Sequence, residues 1–195
     1  MPPELPRKLH DSVLFREAAL SHLDSLHRFA IHLSRNTELA SELVQETYLQ
    51  ALRSEHTFDR SLKHIRPWLF KILNNAYRQH FRRQSRGGPT QTLTDAHEDA
   101  AAANAALLPV NSRLEDLNWD QIDEELKHAI DALPDTLRTV FLLFAVEDLK
   151  YREIADVEGI PAGTVMSRLS RARQLLMQTL ALNSSGSRSK PIRSA

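Results

Sequence analysis

The sequence predicts an all-α fold: two small helical domains joined by a flexible linker. Three observations lead there. Glycine is sparse, at five in 195 residues, and aromatics make up only 6%, a balance that favours helices over a sheet. Apolar residues recur at helical spacing in two stretches, 11–84 and 119–182, each long enough to close a small core. Between them, 85–118 opens on the breaker cluster RGGPTQT and continues Ala-rich, acidic and weakly periodic, as a flexible linker does. Residues 183–195 read as a disordered basic tail.

The first ten residues carry three prolines and read as a loose lead-in. From Asp11, Leu14, Ala18, Leu23, Leu26, Phe29, Ile31 and Leu33 supply the apolar faces of two helices. His22, His27 and His32 are evenly spaced, but each step of five advances about 140° round a helix, so they cannot share a face and hold a metal. Asn36-Thr37 interrupts the pattern, with Thr37 as the expected N-cap of a helix over Glu38–Arg53. Leu39, Leu43, Thr47, Leu49 and Leu52 lie near one side of that helix. Its polar remainder reads as a solvated face or a docking surface. Residues 54–66 read as a loop with a short turn, and Pro67 opens PWLFKILNNAYRQHFRRQ. Trp68, Leu69, Ile72, Leu73, Ala76 and Phe81 form its core side, with Trp68 as an anchor. Lys71, Asn75, Arg78, Gln79, Arg82 and Arg83 project opposite. Amides among cations suit base edges and phosphates, although a solvated helix end with favourable C-terminal cations would look similar.

In the second half, QIDEELKHAIDAL forms a helix to Leu133, Pro134 restarts the chain, and TLRTVFLLFAVEDL is the apolar centre of that domain. Tyr151–Leu176 then reads as two helices about a tight turn. Gly159 sits where the reversal needs positive φ, and Pro161 starts the second helix. Val165, Leu169, Ala172 and Leu176 make one buried stripe. Thr164, Ser167, Arg168 and Arg171 lie opposite, on an exposed face of hydroxyls and guanidinium groups suited to a major groove. An ordinary helical hairpin with a basic face would give the same local pattern.

Net charge is zero, yet the charges are segregated. Residues 60–94 hold eight Lys/Arg and no Asp/Glu, whereas 95–125 hold nine Asp/Glu and one Lys/Arg. Blocks of this kind matter more for nucleic-acid contact than the sum. Absence of cysteine excludes disulfides and cysteine-ligated zinc and fits a reducing, cytoplasmic setting. The N-terminal stretch lacks the apolar centre of a signal peptide, and the longest apolar run, Val140–Val146, is too short for membrane insertion. HExxH, P-loop and GxSxG patterns are absent, so an enzyme is not expected and no cofactor is implied.

Taken together, the two halves resemble the bacterial RNA polymerase sigma-70 family, in its extracytoplasmic-function (ECF) group. ELASELVQETYLQALR and PWLFKILNNAYRQHFRR are similar to sigma region 2, and LPDTLRTVFLLFAVEDLKYREIADVEGIPAGTVMSRLSRARQLL is similar to region 4, with GTVMSRLSRAR the most specific string. The short linker, with no recognisable region 3, points to the ECF group. The resemblance implies a non-catalytic subunit that binds core RNA polymerase, at its clamp helices and flap, and directs it to −10 and −35 promoter DNA. It also implies roles: Arg60, Lys63, His64, Asn75 and Gln79 at the −10 element, with Arg78, Arg82 and Arg83 on its phosphates. Thr164, Ser167, Ser170 and Arg171 would face the −35 groove, with Arg152, Arg168 and Arg173 nearer the phosphates. Gln45, Glu46, Leu49 and Arg53 would meet the clamp helices. An anti-sigma factor is a common further partner in the family.

Three positions depart from the family pattern. Gln79 stands where Asp or Asn is usual, Met166 where Lys or Arg is common, and Glu158, expected to sit partly exposed, where an apolar residue is usual. The alternative is a stand-alone helix-turn-helix regulator. It would not need a second basic reader across a linker, and it would usually dimerise on paired half-sites.

Overall fold

Eight α-helices and two short 3-10 turns account for the regular structure of the computed structural model, which describes residues 7–58, 61–85 and 124–186. No strand occurs among the described residues. They fall into two units, one formed by α1–α4 together with α7, the other by α5, α6 and α8.

In the first unit, α1 (Arg7–Leu20) begins within the proline-rich lead-in, and α2 (Leu23–Ser34) ends on Arg35 in a left-handed conformation, φ 55°. The amide of Arg35 donates to the Ile31 carbonyl at 2.7 Å, closing the last turn of α2. The N-cap of α3 (Thr37–Arg53) is Asn36, not Thr37. Asn36 is extended and its Oδ1 accepts from the Leu39 amide at 3.0 Å, so the side chain with the better capping geometry takes the position.

Helix α4 (Ile65–Ser85) starts two residues before Pro67, which sits in the first turn where its missing N–H has no intrahelical partner to lose. The core lies where α2, α3 and α4 pack together: Leu26, Phe29, Leu33, Leu43, Leu69 and Leu73 are buried, and Phe29 meets Phe70 edge-on at 5.1 Å. Trp68 anchors a second cluster, 4.9 Å from Phe58 and 6.0 Å from Phe15. The Tyr48 hydroxyl donates to the Ala19 carbonyl at 2.8 Å, tying α3 to the end of α1. Burial, with Asp24 nearby, pushes its pKa up to about 12.

Some apolar residues assigned to this core lie outside it. Leu14, Leu23, Leu49, Leu52 and Phe81 are exposed. Phe81 stacks on Tyr77 at 4.7 Å, one turn back on its own helix, instead of entering the core.

In the second unit, α5 (Glu124–Asp131) and α6 (Asp135–Ala145) both pack on α8 (Ala162–Gly186). Leu137, Val140, Phe141, Leu142 and Leu143 of α6 are buried, as are Val165, Leu169, Ala172 and Leu176, the whole of the predicted α8 stripe. Arg138 is buried too, and its guanidinium donates to the Asp131 and Leu133 carbonyls at 3.4 Å and to Asp135 Oδ1 at 2.9 Å. It thereby satisfies carbonyls left open where α5 ends. Helix α8 runs on to Gly186, past the Leu182 boundary expected from the sequence. Most of the expected linker, 86–118, and residues 187–195 of the tail lie outside the described residues.

Candidate nucleic-acid interface

Periodicity places the chemistry on α4. Asn75 and Gln79 are one turn apart, Arg82 and Arg83 follow a turn later, and all four are exposed. Lys63 and His64 are also exposed, on the 3-10 turn Leu62–His64 that leads into the helix. Amides and cations thus share an exposed side of α4, and a lysine and an imidazole are exposed on the turn that precedes it. Arg60 lies outside the described residues.

Arg78 differs from its neighbours. It is half-buried, and its Nη2 contacts Glu158 Oε2 at 2.6 Å while its Nη1 donates to the Glu158 carbonyl at 3.1 Å. One turn earlier, buried Asn74 donates from Nδ2 to Glu158 Oε1 at 2.8 Å. Glu158 ends α7 (Tyr151–Glu158), whose Ile154 and Val157 are buried with it. The expectation that Glu158 sits partly exposed is thus overturned, because ion pairing and an amide hydrogen bond compensate its desolvation. Sequence reasoning did not find Asn74. The signal that could have found it is Glu158 itself, an acid four residues after Ile154 on the apolar side of its helix.

Beyond α7 the chain turns at Gly159, φ 70°, and enters α8 after Pro161. Along α8, Arg171 is exposed and Thr164, Ser167 and Ser170 are partly so, with the Ser167 hydroxyl donating to the Thr164 carbonyl at 3.0 Å. Arg168 is buried, contrary to its expected place on the exposed face. At about 100° per residue it lies only about 60° round from Val165, on the flank of the packed stripe. Arg173 lies on the other flank with its guanidinium 5.1 Å from the Phe144 ring centroid, a cation–π contact. Arg152, on α7, is exposed.

A further surface lies on α3. Gln45, Leu49 and Arg53 follow at one-turn intervals with Glu46 beside them, and all are exposed. Leu49 is 49% and Leu52 44% exposed, so this helix offers apolar side chains among polar ones. Gln50 Nε2 donates to Glu46 Oε1 at 2.7 Å and holds that carboxylate along the helix. No group of three or more His, Cys, Asp or Glu residues is placed to hold a metal among the described residues, and none of their helices is long and apolar enough to cross a membrane.

Comparison with known proteins divides the chain by sequence, with α7 in the second of two matched parts. The family models for Sigma-70 region 2 and Sigma-70, region 4 match residues 19–87 and 123–176. The chain is 33% identical over 165 residues to the ECF RNA polymerase sigma factor EcfG of Rhodopseudomonas palustris, covering 85% of this chain and 84% of the relative. It is 31% identical to the RNA polymerase sigma factor HrpL of Pseudomonas syringae pv. syringae, over 90% of this chain and 91% of that one. Among solved structures, the sigma factor RpoE from Bartonella quintana, crystallised with the anti-sigma factor NepR, is similar at 27% identity. Its TM-score is 0.62, and the match covers 87% of this chain and 98% of that chain.

Proposed function

The chain belongs to the sigma-70 family, in its extracytoplasmic-function group, and on that premise we propose how its helices divide the work of promoter recognition. As a sigma factor it binds core RNA polymerase and directs transcription initiation at promoter DNA. A stand-alone regulator is set aside, because residues 19–87 match region 2 in addition to the region 4 match over the helix-turn-helix half.

In the proposed division, α4 reads the −10 element: Asn75 and Gln79 meet base edges and Lys63, His64, Arg82 and Arg83 hold the strand. The observation that carries this is the exposure of both amides on one face with the cations flanking them. Extruding a base costs a few kcal/mol, which contacts to its freed edge offset, while phosphate neutralisation releases counterions and supplies sequence-independent affinity. Helix α8 reads the −35 groove through Ser167, Ser170 and Arg171, with Thr164 at its near end. The α3 face of Gln45, Glu46, Leu49 and Arg53 docks on the clamp helices, its exposed leucines supplying the apolar contact.

Two weak readers held by one polymerase gain from effective concentration, which is the role proposed for the linker over 85–118. Its acidic character would lessen adhesion of the free protein to nucleic acid. Its site of action would be the cytoplasm, where the polymerase works, and an anti-sigma factor would be a further partner, as NepR is for its solved relative.

The test is in vitro transcription from a genomic fragment library with core polymerase, with and without this protein. New start sites preceded by a common −35/−10 pair are expected. An unchanged set of starts, with unaided duplex binding, would overturn the reading.

A further inference from the structure

One exposed residue of α8 has no part in the division of reading set out above. Met166 is 42% exposed, and no other apolar side chain in the first three turns of that helix is exposed. At about 100° per residue it lies about 40° round from Ser170 and about 100° from Ser167, on the flank of the face assigned to the −35 groove. Thr164 and Arg171 lie on the opposite flank of that face.

The chemistry of a thioether narrows what it can read. It donates no hydrogen bond and accepts only weakly, so base-edge amino groups, carbonyls and phosphate oxygens offer it little. The major groove presents one apolar group, the C5-methyl of thymine, which stands at the side of the groove beside its own strand. A reader of that methyl therefore belongs on the flank of a recognition helix, with hydrogen-bonding side chains nearer the middle, where Ser167 and Ser170 are. The adjoining turn leaves room for the contact. Helical side chains lean towards the N-terminus, so Met166 reaches over the turn that contains Gly163. Gly163 is exposed, and a Cβ there would meet nothing within 4 Å, so a base edge can approach the backbone closely at this turn. It is also the N-terminal part of a recognition helix that contacts base edges.

We infer that Met166 is a specificity-determining residue of the −35 reader: its side chain, lying over Gly163, packs on the C5-methyl of one thymine and favours an A·T pair at that step. The inference rests on the assignment of α8 to the −35 groove. A Lys or Arg at this position would be drawn to phosphate or to guanine. Met166 exchanges that polar contact for methyl readout.

The test uses holoenzyme assembled from core polymerase and the full chain, on a duplex promoter taken from the start-site library. Each thymine of the −35 element, on either strand, is replaced in turn by deoxyuridine, which lacks only the methyl, and binding is measured by competition anisotropy. One replacement is expected to weaken wild-type binding about fourfold, the worth of one buried methyl. Met166→Gln, close to methionine in length and helix propensity but polar at its end, should lose that difference, and Met166→Leu should keep it. Because Met166 is exposed, both variants are expected to fold as wild type does. If no replacement weakens wild type, if the same replacement weakens Met166→Gln equally, or if the −35 element contains no A·T pair, methyl reading is overturned. Exchange of whole −35 base pairs separates this result from the assignment beneath it. If those exchanges weaken wild-type binding while the uracil replacements do not, α8 still reads the −35 element and Met166 does not. If the exchanges have no effect either, the assignment of α8 falls with the inference.

Discussion

Truncating Leu169 to alanine tests whether the packed stripe of α8 holds the second unit together. Leu169 is 1% exposed, between Val165 and Ala172 on the face that meets α6. The change removes three buried carbons at about 0.8 kcal/mol each, roughly 2.4 kcal/mol of transfer free energy. An unrelaxed void of ~50 Å³ adds about 1 kcal/mol at ~24 cal/mol per Å³, giving a loss of about 3–4 kcal/mol. A unit of roughly 60 residues holds only about 3–9 kcal/mol in total. Its Tm should therefore fall by on the order of 15 °C or more. Met166 is the control: it is on the same helix but 42% exposed, so Met166→Ala should stay within about 0.5 kcal/mol of wild type. The assay is thermal unfolding of the full chain by calorimetry, alongside binding to a −35 duplex. Equal shifts for the two variants would refute the placement of the stripe.

Other consequences are as specific. Asn36→Ala should destabilise the first unit by about 1 kcal/mol through loss of the bond to the Leu39 amide, and Asn36→Gly by only a few tenths, measured by urea unfolding. Arg82→Ala/Arg83→Ala should lower the slope of log affinity against log salt by roughly 1.4 for single-stranded DNA, since each phosphate contact contributes about 0.7. His22 is held below its ordinary pKa, chiefly by burial and then by Arg66. The unfolded chain therefore binds the proton more readily, so the His22 contribution is present above the unfolded value of about 6.5 and is lost as pH falls through the lower folded value. Stability should decline on acidification through that window, less steeply in His22→Gln, as denaturant midpoints across pH would show.

Wherever one physical requirement dominated a position, the sequence made it legible. Only glycine takes φ 70° without steric cost, so Gly159 marked the turn, and the spacing of Val165, Leu169, Ala172 and Leu176 could be satisfied by one buried face. Two near-equal choices were harder to separate. Asn36 and Thr37 are both good caps, and backbone geometry at the end of α2 decides between them. Arg168 lies at the margin of a helical stripe, where periodicity gives an angle but not the reach of the neighbouring helices. Phe81 reads as core by composition, but Tyr77 offers it a partner on its own helix. Glu158 was the hardest, because its compensating donors, Asn74 and Arg78, lie some 80 positions away. The exposed edge of α4 was visible as amides among cations, whereas the engagement of Arg78 required the fold.

The most direct test of the two-reader account maps start sites from the fragment library with core polymerase and wild type, Gln79→Ala or Arg171→Ala protein. Gln79→Ala is expected to relax base preference within the −10 element and leave −35 preference intact. Arg171→Ala should do the reverse, with about 1–3 kcal/mol of discrimination lost at one −35 position. If both variants altered the same element, or neither altered any, the division of reading between α4 and α8 would be contradicted.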